Sequence, residues 1–305
     1  VTKACCTPTT DGSDGAPFVE AIQKIIPADA GQQSELRAAL INIPGGFFDM
    51  GARKSRFPKD RDSPRRRVKV APFRIAPYAV TNRDYGRFVM ATGYRTVAEV
   101  EGWSFVFQLF LQSPEQFQSP PGLPWWRKVD GSFWAAPEGP ASHVDDRPDH
   151  PVVHISWYDA QAYCRWSGLR LPSEAEWERA ARGGIARAKF PWGNSFMPGG
   201  AHAMNTWQGH FPHENTGEDG HIGTAPVDAF SANGFGLHNM TGNVWEWAAD
   251  LFDDTSALGA RVQRGGSFLC HDSYCDRYHV HSRTGTEPDS SAGHSGFRVA
   301  ADVEA

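Results

Sequence analysis

Arg170-Leu171-Pro172-Ser173-Glu174-Ala175-Glu176-Trp177-Glu178 opens a helix by a local signal. Ser173 followed three residues later by Glu176 is a capping box, in which the hydroxyl accepts from one orphan backbone N–H and the carboxylate from another. The spacing predicts a helix that turns Trp177, Ala180 and Ala181 inward and stops at Gly183. Working outward, Ser156 with Asp159 predicts a second helix, carrying Ala160, Tyr163 and Cys164 to an end at Gly168. Thr81 with Asp84 predicts a third, with Tyr85, Phe88 and Val89 on one face and Gly93 at its end. Regular structure is expected to begin at Ile43-Pro44-Gly45-Gly46-Phe47-Phe48-Asp49-Met50-Gly51, read as a strand entered through a turn. Val68 and Val70 alternate with Arg67 and Lys69 as in a half-buried strand. Residues 101–150, rich in proline and in aromatics such as Trp103, Trp125, Trp126 and Trp134, read as a long functional loop.

The chain has 305 residues, enough for one large core, with 21% charged and 40% hydrophobic residues. Its formal net charge of −5 gives no reason to expect nucleic acid or an anionic membrane as partner. No run of about 18 apolar residues predicts a membrane-spanning helix. The 31 Gly, 22 Pro and 11 Trp point to much irregular backbone pinned by large aromatics. Nine Lys/Arg between Arg53 and Lys69, interrupted by Asp60 and Asp62, read as a solvated face. The start, Val1-Thr2-Lys3-Ala4-Cys5-Cys6, lacks the apolar core of a signal peptide, and a cytoplasmic location is expected.

Arg264-Gly265-Gly266-Ser267-Phe268-Leu269-Cys270-His271-Asp272-Ser273-Tyr274-Cys275 places two of the five cysteines five residues apart after a Gly-Gly turn. Such a pair can form a local disulfide, hold a soft metal, or alternate between the two. Ser267, His271, Ser273 and Tyr274 surround the thiols with polar groups, which favours a reactive pair over an inert one.

Several stretches share their order with one family: His150-Pro151-Val152-Val153-His154-Ile155-Ser156-Trp157, the Arg170–Glu178 run and Phe190-Pro191-Trp192-Gly193-Asn194. Asn205-Thr206-Trp207-Gln208-Gly209, Asn215-Thr216-Gly217-Glu218-Asp219-Gly220 and Gly242-Asn243-Val244-Trp245-Glu246-Trp247 follow. The cysteine segment, Pro288-Asp289-Ser290-Ser291 and Gly296-Phe297-Arg298 complete the set. Together they resemble the formylglycine-generating enzymes, or sulfatase-modifying factors, over nearly all of residues 43–302. The resemblance implies a single α+β domain of residues 41–305, related to C-type-lectin-like folds and low in regular structure, behind an N-terminal extension of residues 1–40. It implies a copper-dependent oxidase that uses O2 and a thiol reductant to convert a cysteine of a client sulfatase, in a Cys-X-Pro-X-Arg motif, to Cα-formylglycine. Cu(I) would be held by Cys270 and Cys275, soft ligands suited to a soft ion. Ser267 and Tyr274 would hydrogen-bond around the oxygen site, with Trp245 as its wall. Two Ca2+ sites are also implied, oxygen-only as suits a hard cation. One would use Asn205, Asp219 and the main chain of Thr206 and His221, the other Asn239, Glu246 and the main chain of Gly242 and Val244. A divergent oxidase of another cysteine peptide or thiol, and a non-catalytic protein-binding relative, are the competing readings.

The chain departs from the family pattern at Ala135, Ala136, His279, Thr286, Glu287 and His294, positions the resemblance places around the substrate groove. Val299 and Val280 replace family cysteines, which leaves Cys164 expected as a buried free thiol. His150 and His154 flank Pro151-Val152-Val153, read as a strand, and the absence of a suitably spaced acidic residue argues against iron. Cys6-Thr7-Pro8-Thr9-Thr10 begins like the client motif but ends in Thr rather than Arg, and is expected to be a disordered tail and not a self-substrate.

Overall fold

The structure is a computed structural model and describes residues 8–10, 15–253 and 259–303. Its helices are α1 (Ala16–Gln23), α2 (Ala30–Ala38), α3 (Asn82–Thr92), α4 (Val97–Glu101), α5 (Trp157–Ser167) and α6 (Glu174–Ala181). Its strands are β1 (Ile41–Ile43), β2 (Gly46–Met50), β3 (Arg66–Val70), β4 (Phe73–Ile75), β5 (Trp103–Phe107), β6 (Trp126–Asp130) and β7 (Gly209–His210). They continue with β8 (Glu214–Asn215), β9 (Trp245–Leu251), β10 (Arg261–Arg264), β11 (Arg283–Thr286), β12 (Ser295–Phe297) and β13 (Ala300–Asp302). The elements are short and the connections long, an α+β arrangement low in regular structure.

The three capped helices form where the side chains direct them. Ser156 and Ser173 make complete capping boxes with Asp159 and Glu176, and Thr81 accepts from the Asp84 backbone N–H. Gly93 and Gly168 close α3 and α5 in the left-handed region, at φ 66° and 67°, where a side chain would be strained. The four-stranded sheet runs β11-β10-β9-β12, with β12 parallel to β9 and the other pairs antiparallel. A three-stranded sheet, β1-β4-β13, ties the start of the domain to its end. One apolar cluster joins Tyr85, Phe88, Tyr163, Trp166, Trp247 and Phe297 under α3 and α5, and a second gathers Trp177, Ala180 and Ala181 against Ile43 and Phe73.

Several expectations change. Regular structure begins well before Ile43: α1 and α2 occupy residues read as an extension, and Ile25 and Leu40 are buried against α5. Pro17 starts α1, and Asp29 caps α2 by accepting from Gln32. The 101–150 loop contains the β5–β6 hairpin, preceded by α4, whose own capping box is Thr96 with Glu99. No strand forms at 151–153; Pro151 makes a single bridge to Thr81, and His154 has φ 59°. His150 bonds Thr224 while buried His154 bonds Ser104, so the two rings serve different neighbours. Cys164 is a buried free thiol whose pKa burial pushes up. Cys6 and Thr7 of the expected tail lie outside the described residues, while Thr10 donates to Ser290 and Asp289. Among the described residues no helix is long and apolar enough to cross a membrane.

Candidate active site

The cysteine segment leaves β10 through a fixed anchor. Arg264, 1% exposed, donates to Glu178 at 2.5 Å and to Glu174 at 3.1 Å, both carboxylates of α6. Burial alone would raise the Glu178 pKa, but Arg264 and Arg182 hold it below the usual carboxylate range. Arg264 also donates to the carbonyls of His281 and Val280, and these contacts together fix the direction in which the chain enters the turn. Gly265 and Gly266 then take φ 94° and 75°. A Cβ on Gly266 would sit 2.7 Å from the Arg277 carbonyl oxygen and 3.2 Å from Cys270 Sγ, so only glycine fits.

Past the turn, the Cys275 backbone N–H donates to the His271 carbonyl at 2.7 Å, curling the segment so that the thiols converge. The Cys270 and Cys275 sulfurs are 3.6 Å apart, not joined in a disulfide, and fully buried. Each has a donor aimed at it: the Ser267 N–H reaches Cys270 Sγ at 3.4 Å, and Arg277 Nη1 reaches Cys275 Sγ at 3.4 Å. Such donors favour the charged sulfur over the neutral thiol.

The surroundings differ from the polar ones expected. Phe190, Met204, Trp245 and Tyr278 form an apolar cage around the pair, with Trp192 and Tyr274 at its margin. Trp245 is fully buried within it. Tyr274 stacks on Phe211 at 4.8 Å and meets Trp125 edge-on at 4.6 Å. Ser267 Oγ lies 3.4 Å from His294 Nδ1, and burial lowers the His294 pKa to about 3, which keeps the ring neutral. His271 and His281 are engaged elsewhere, with Ser273 and Asp62. A cleft of about 460 Å³ opens beside the cage, lined among others by Phe190, Trp207, His271, Asp272, Tyr278 and His279.

Two site residues escaped the sequence reading. Arg277 is held by a two-pronged bond to Asp60, at 2.5 and 3.0 Å, and lies 3.8 Å from the Phe57 ring centroid. Asp60 and Asp62 are therefore buried partners of Arg277 and His281, just past the cysteine segment, and not interruptions of a solvated basic face. The separations in sequence, 217 and 219 residues, leave no local signal for either pairing. The groove departures also separate. His279 lines the cleft and His294 touches Ser267, whereas Thr286 is buried and donates to Gln263 within the sheet. Ala136 pairs back to Phe133 in a tight turn.

The oxygen-rich loops have a different chemistry. Asn205 Nδ2 donates to Gly223 and Asn243, and Asn239 Nδ2 donates to Pro226 and Val227. These donors fix both amides so that Asn205 Oδ1 and Asn239 Oδ1 are buried with no hydrogen-bond donor. A buried acceptor left so is costly unless a cation or water meets it. The Asp219 carboxylate accepts from Thr206 and His221 backbone N–H groups, both at 2.9 Å. Glu246 is committed to Arg298 and to Trp177 Nε1, although its Oε1 has only the Arg298 donor at 2.6 Å. In each set the bare side-chain oxygen is the asparagine's: Gln208 Nε2 donates to the Thr206 carbonyl and to Asp219, as Arg298 does to Glu246, so each set offers a hard cation one free side-chain oxygen and others that would have to give up a donor.

Residues 27–303 match the sulfatase-modifying factor enzyme 1-like domain. The chain belongs to this family. It is 53% identical over 287 residues to a formylglycine-generating enzyme of Thermomonospora curvata, covering 88% of this chain and 95% of the relative. It is 49% identical over 280 residues to the Streptomyces coelicolor formylglycine-generating enzyme, covering 87% and 89%. Among solved structures, PvdO from Pseudomonas aeruginosa superposes with TM-score 0.62 at 25% identity, over 87% of this chain and 94% of that one.

Proposed function

We propose that this chain converts a cysteine of a client sulfatase to Cα-formylglycine, with Cu(I) held by Cys270 and Cys275. The observation that carries the reading is the pair of unbridged, donor-supported sulfurs 3.6 Å apart in an apolar cage, two of whose rings, Phe190 and Tyr278, also line a cleft. Among the described residues no group of three or more His, Cys, Asp and Glu side chains could hold a metal, so Cu(I) on this pair would have the two sulfurs as its protein ligands and take a third from the client's thiol. When bound, Cu(I) supplies the one-electron and O2 chemistry that no side chain here can perform. The balanced reaction takes the client's R–CH2–SH, O2 and two reductant thiols to R–CHO, hydrogen sulfide, one disulfide and water.

This chain's own groups prepare the site. Ser267 N–H and Arg277 stabilise negative charge on the two sulfurs, while Phe190, Trp245 and Tyr278 keep bulk water from them. Neutral His294 and the Ser267 hydroxyl stand as a hydrogen-bonding pair at the edge of the cage. Ca2+ at Asn205 and Asp219, and at Asn239 and Glu246, would hold the adjoining loops in place. The family membership and the two named relatives support the client class. The test is mass spectrometry of a Cys-X-Pro-X-Arg peptide incubated with copper-loaded protein, O2 and a thiol reductant. A mass loss of about 18 Da at the cysteine is expected, from S replaced by O less two H. An unchanged peptide would overturn the reading, and conversion of other cysteine peptides alone would establish the divergent-substrate one, which the His279 and His294 departures favour.

A further inference from the structure

The basic run between Arg53 and Lys69 divides once the chain is folded. Arg56 and Arg61 pair with Asp276 and Asp253, whereas Arg67 and Lys69, exposed on β3, have no carboxylate partner among the described residues. Strand β2 sets an aromatic ring beside them. Phe47 lies opposite Lys69 in the β2–β3 register, with the Arg67 guanidinium 5.2 Å and the Lys69 ammonium 5.9 Å from its ring centroid. Phe47 is 58% exposed, so a large apolar ring and two unpaired cations stand together at the surface.

This ring forms one side of a cavity of about 300 Å³ between the β2–β3 hairpin and the residues that follow α6. Ile185, 41% exposed, and the half-buried Phe48 and Phe235 supply the rest of its apolar surface. Four arginines line it against the carboxylate of Asp49. Two of their charges are answered: Arg187 donates to Asp49 at 2.8 Å, and Arg182 to Glu178 at 2.6 Å. Arg179 spends Nε and Nη2 on the Pro44 and Gly45 carbonyls, both at 2.6 Å, which fixes the side chain without cancelling its charge. Arg67 and Arg179 therefore leave the cavity with surplus positive charge.

Its walls are held in place by the chain itself. Asn233 Nδ2 donates to the Ala180 carbonyl at 2.8 Å while Asn233 Oδ1 accepts from the Phe235 N–H at 2.9 Å, which ties that ring to the end of α6. Arg187 is kept at φ 60°, a conformation uncommon for any residue but glycine, with its guanidinium on Asp49.

We propose that this cavity is a binding site for one small planar aromatic anion, a ring that carries a phosphate or a carboxylate. Phe47, Ile185 and Phe235 receive the ring, and Arg67 and Arg179 receive the charge. Guanidinium suits both tasks, because it stacks on aromatic faces and grips either anion through a planar fork. A volume of about 300 Å³ suits a single small ligand and not a nucleic-acid strand, which the net charge of −5 also opposes.

The test is isothermal titration calorimetry of the full-length protein with α-naphthyl phosphate and α-naphthoate. The comparison ligands are α-naphthol, which has the ring alone, and inorganic phosphate, which has the charge alone. At least one aromatic anion is expected to bind at one site per chain, about tenfold or more tighter than either comparison ligand. The better of the two names the anionic group, and its affinity should fall as salt is added. F47A should weaken it about fivefold or more by removing the ring, and R67Q about threefold while flattening the salt dependence. Both positions are exposed, so both variants should keep the wild-type melting temperature. Neither anion binding more tightly than the comparison ligands, or an affinity unchanged in either variant, would overturn the proposal.

Discussion

The sulfur pair and the asparagine loops are both built on irregular backbone next to β9, yet they solve opposite problems. Around Cys270 and Cys275 the chain assembles aromatic rings and directs N–H donors at sulfur. Around Asn205 and Asn239 it spends the donors on locking amides, and leaves their oxygens buried and bare. Donor softness and the sign of the unsatisfied group divide the two regions, and they predict selection of different ions without any difference in secondary structure. The lesson is that in a fold this poor in regular elements, the hydrogen-bond accounting identifies a site better than its place in the topology does.

The largest effect that would test this division comes from Arg277, which serves the sulfur region alone. R277M leaves the buried Asp60 carboxylate without its ion partner, and breaking such a pair costs about 3–5 kcal/mol. D60N/R277M is expected to recover most of that stability in urea denaturation. A single mutant as stable as wild type would show the pair to be incidental.

Calcium removal probes the other region. An ion present at about 100 times its Kd contributes about 2.7 kcal/mol, so EGTA should lower the melting temperature by roughly 5 °C or more. N205A should abolish most of that EGTA response, and thiol-bound copper should be unaffected by the chelator. An unchanged melting curve would remove the hard-cation reading.

Acid should distinguish the regions again. Burial lowers the pKa of His294 and His154 to about 3, and of His279 to about 4, from an ordinary value near 6.5. Below pH 6.5 the unfolded chain binds protons that these folded rings refuse, so their contribution to stability is lost progressively as pH falls toward 4. Asp159, raised by burial to about 6, opposes this, since its folded form takes up a proton more readily over the same window. Burial also lowers the His150 pKa and raises that of Asp60, so four histidines stand against two carboxylates and predict a net fall, read as melting temperature against pH; a flat profile between pH 6.5 and 4.5 would contradict the buried neutral assignment.

The smallest effect concerns the cleft. His279 lines it, stacked 5.1 Å from Phe190, while Thr286 is turned into the sheet. H279R is expected to change kcat/KM for an Arg-containing client peptide by no more than about tenfold. T286N should change it not at all unless it disturbs folding. An effect of T286N alone would show that β11 communicates with the groove.

What could be read in the sequence was what is encoded locally. Ser156, Ser173 and Thr81 each announce a helix through residues three apart, and the structure starts helices after all three. The Thr96–Glu99 box carries the same signal, but α4 has five residues, too few for a periodic apolar face, and it sits beside the Pro-rich stretch that reads as loop. The cysteine pair was legible from its spacing, and the aromatic cage was not, because Phe190, Met204 and Trp245 come from distant segments. Asp60 was misread for the same reason: a carboxylate within a basic run looks solvated until the fold brings Arg277 to it.

Copper chemistry here requires that the two sulfurs act as one soft-metal site. Competition titration of the reduced protein with Cu(I) tests this most directly, comparing wild type with C270S and C275S. One ion per chain is predicted for wild type, with tight binding lost in each single variant, because one thiolate alone is a poor site for a soft cation. Wild-type affinity retained in either variant would contradict it.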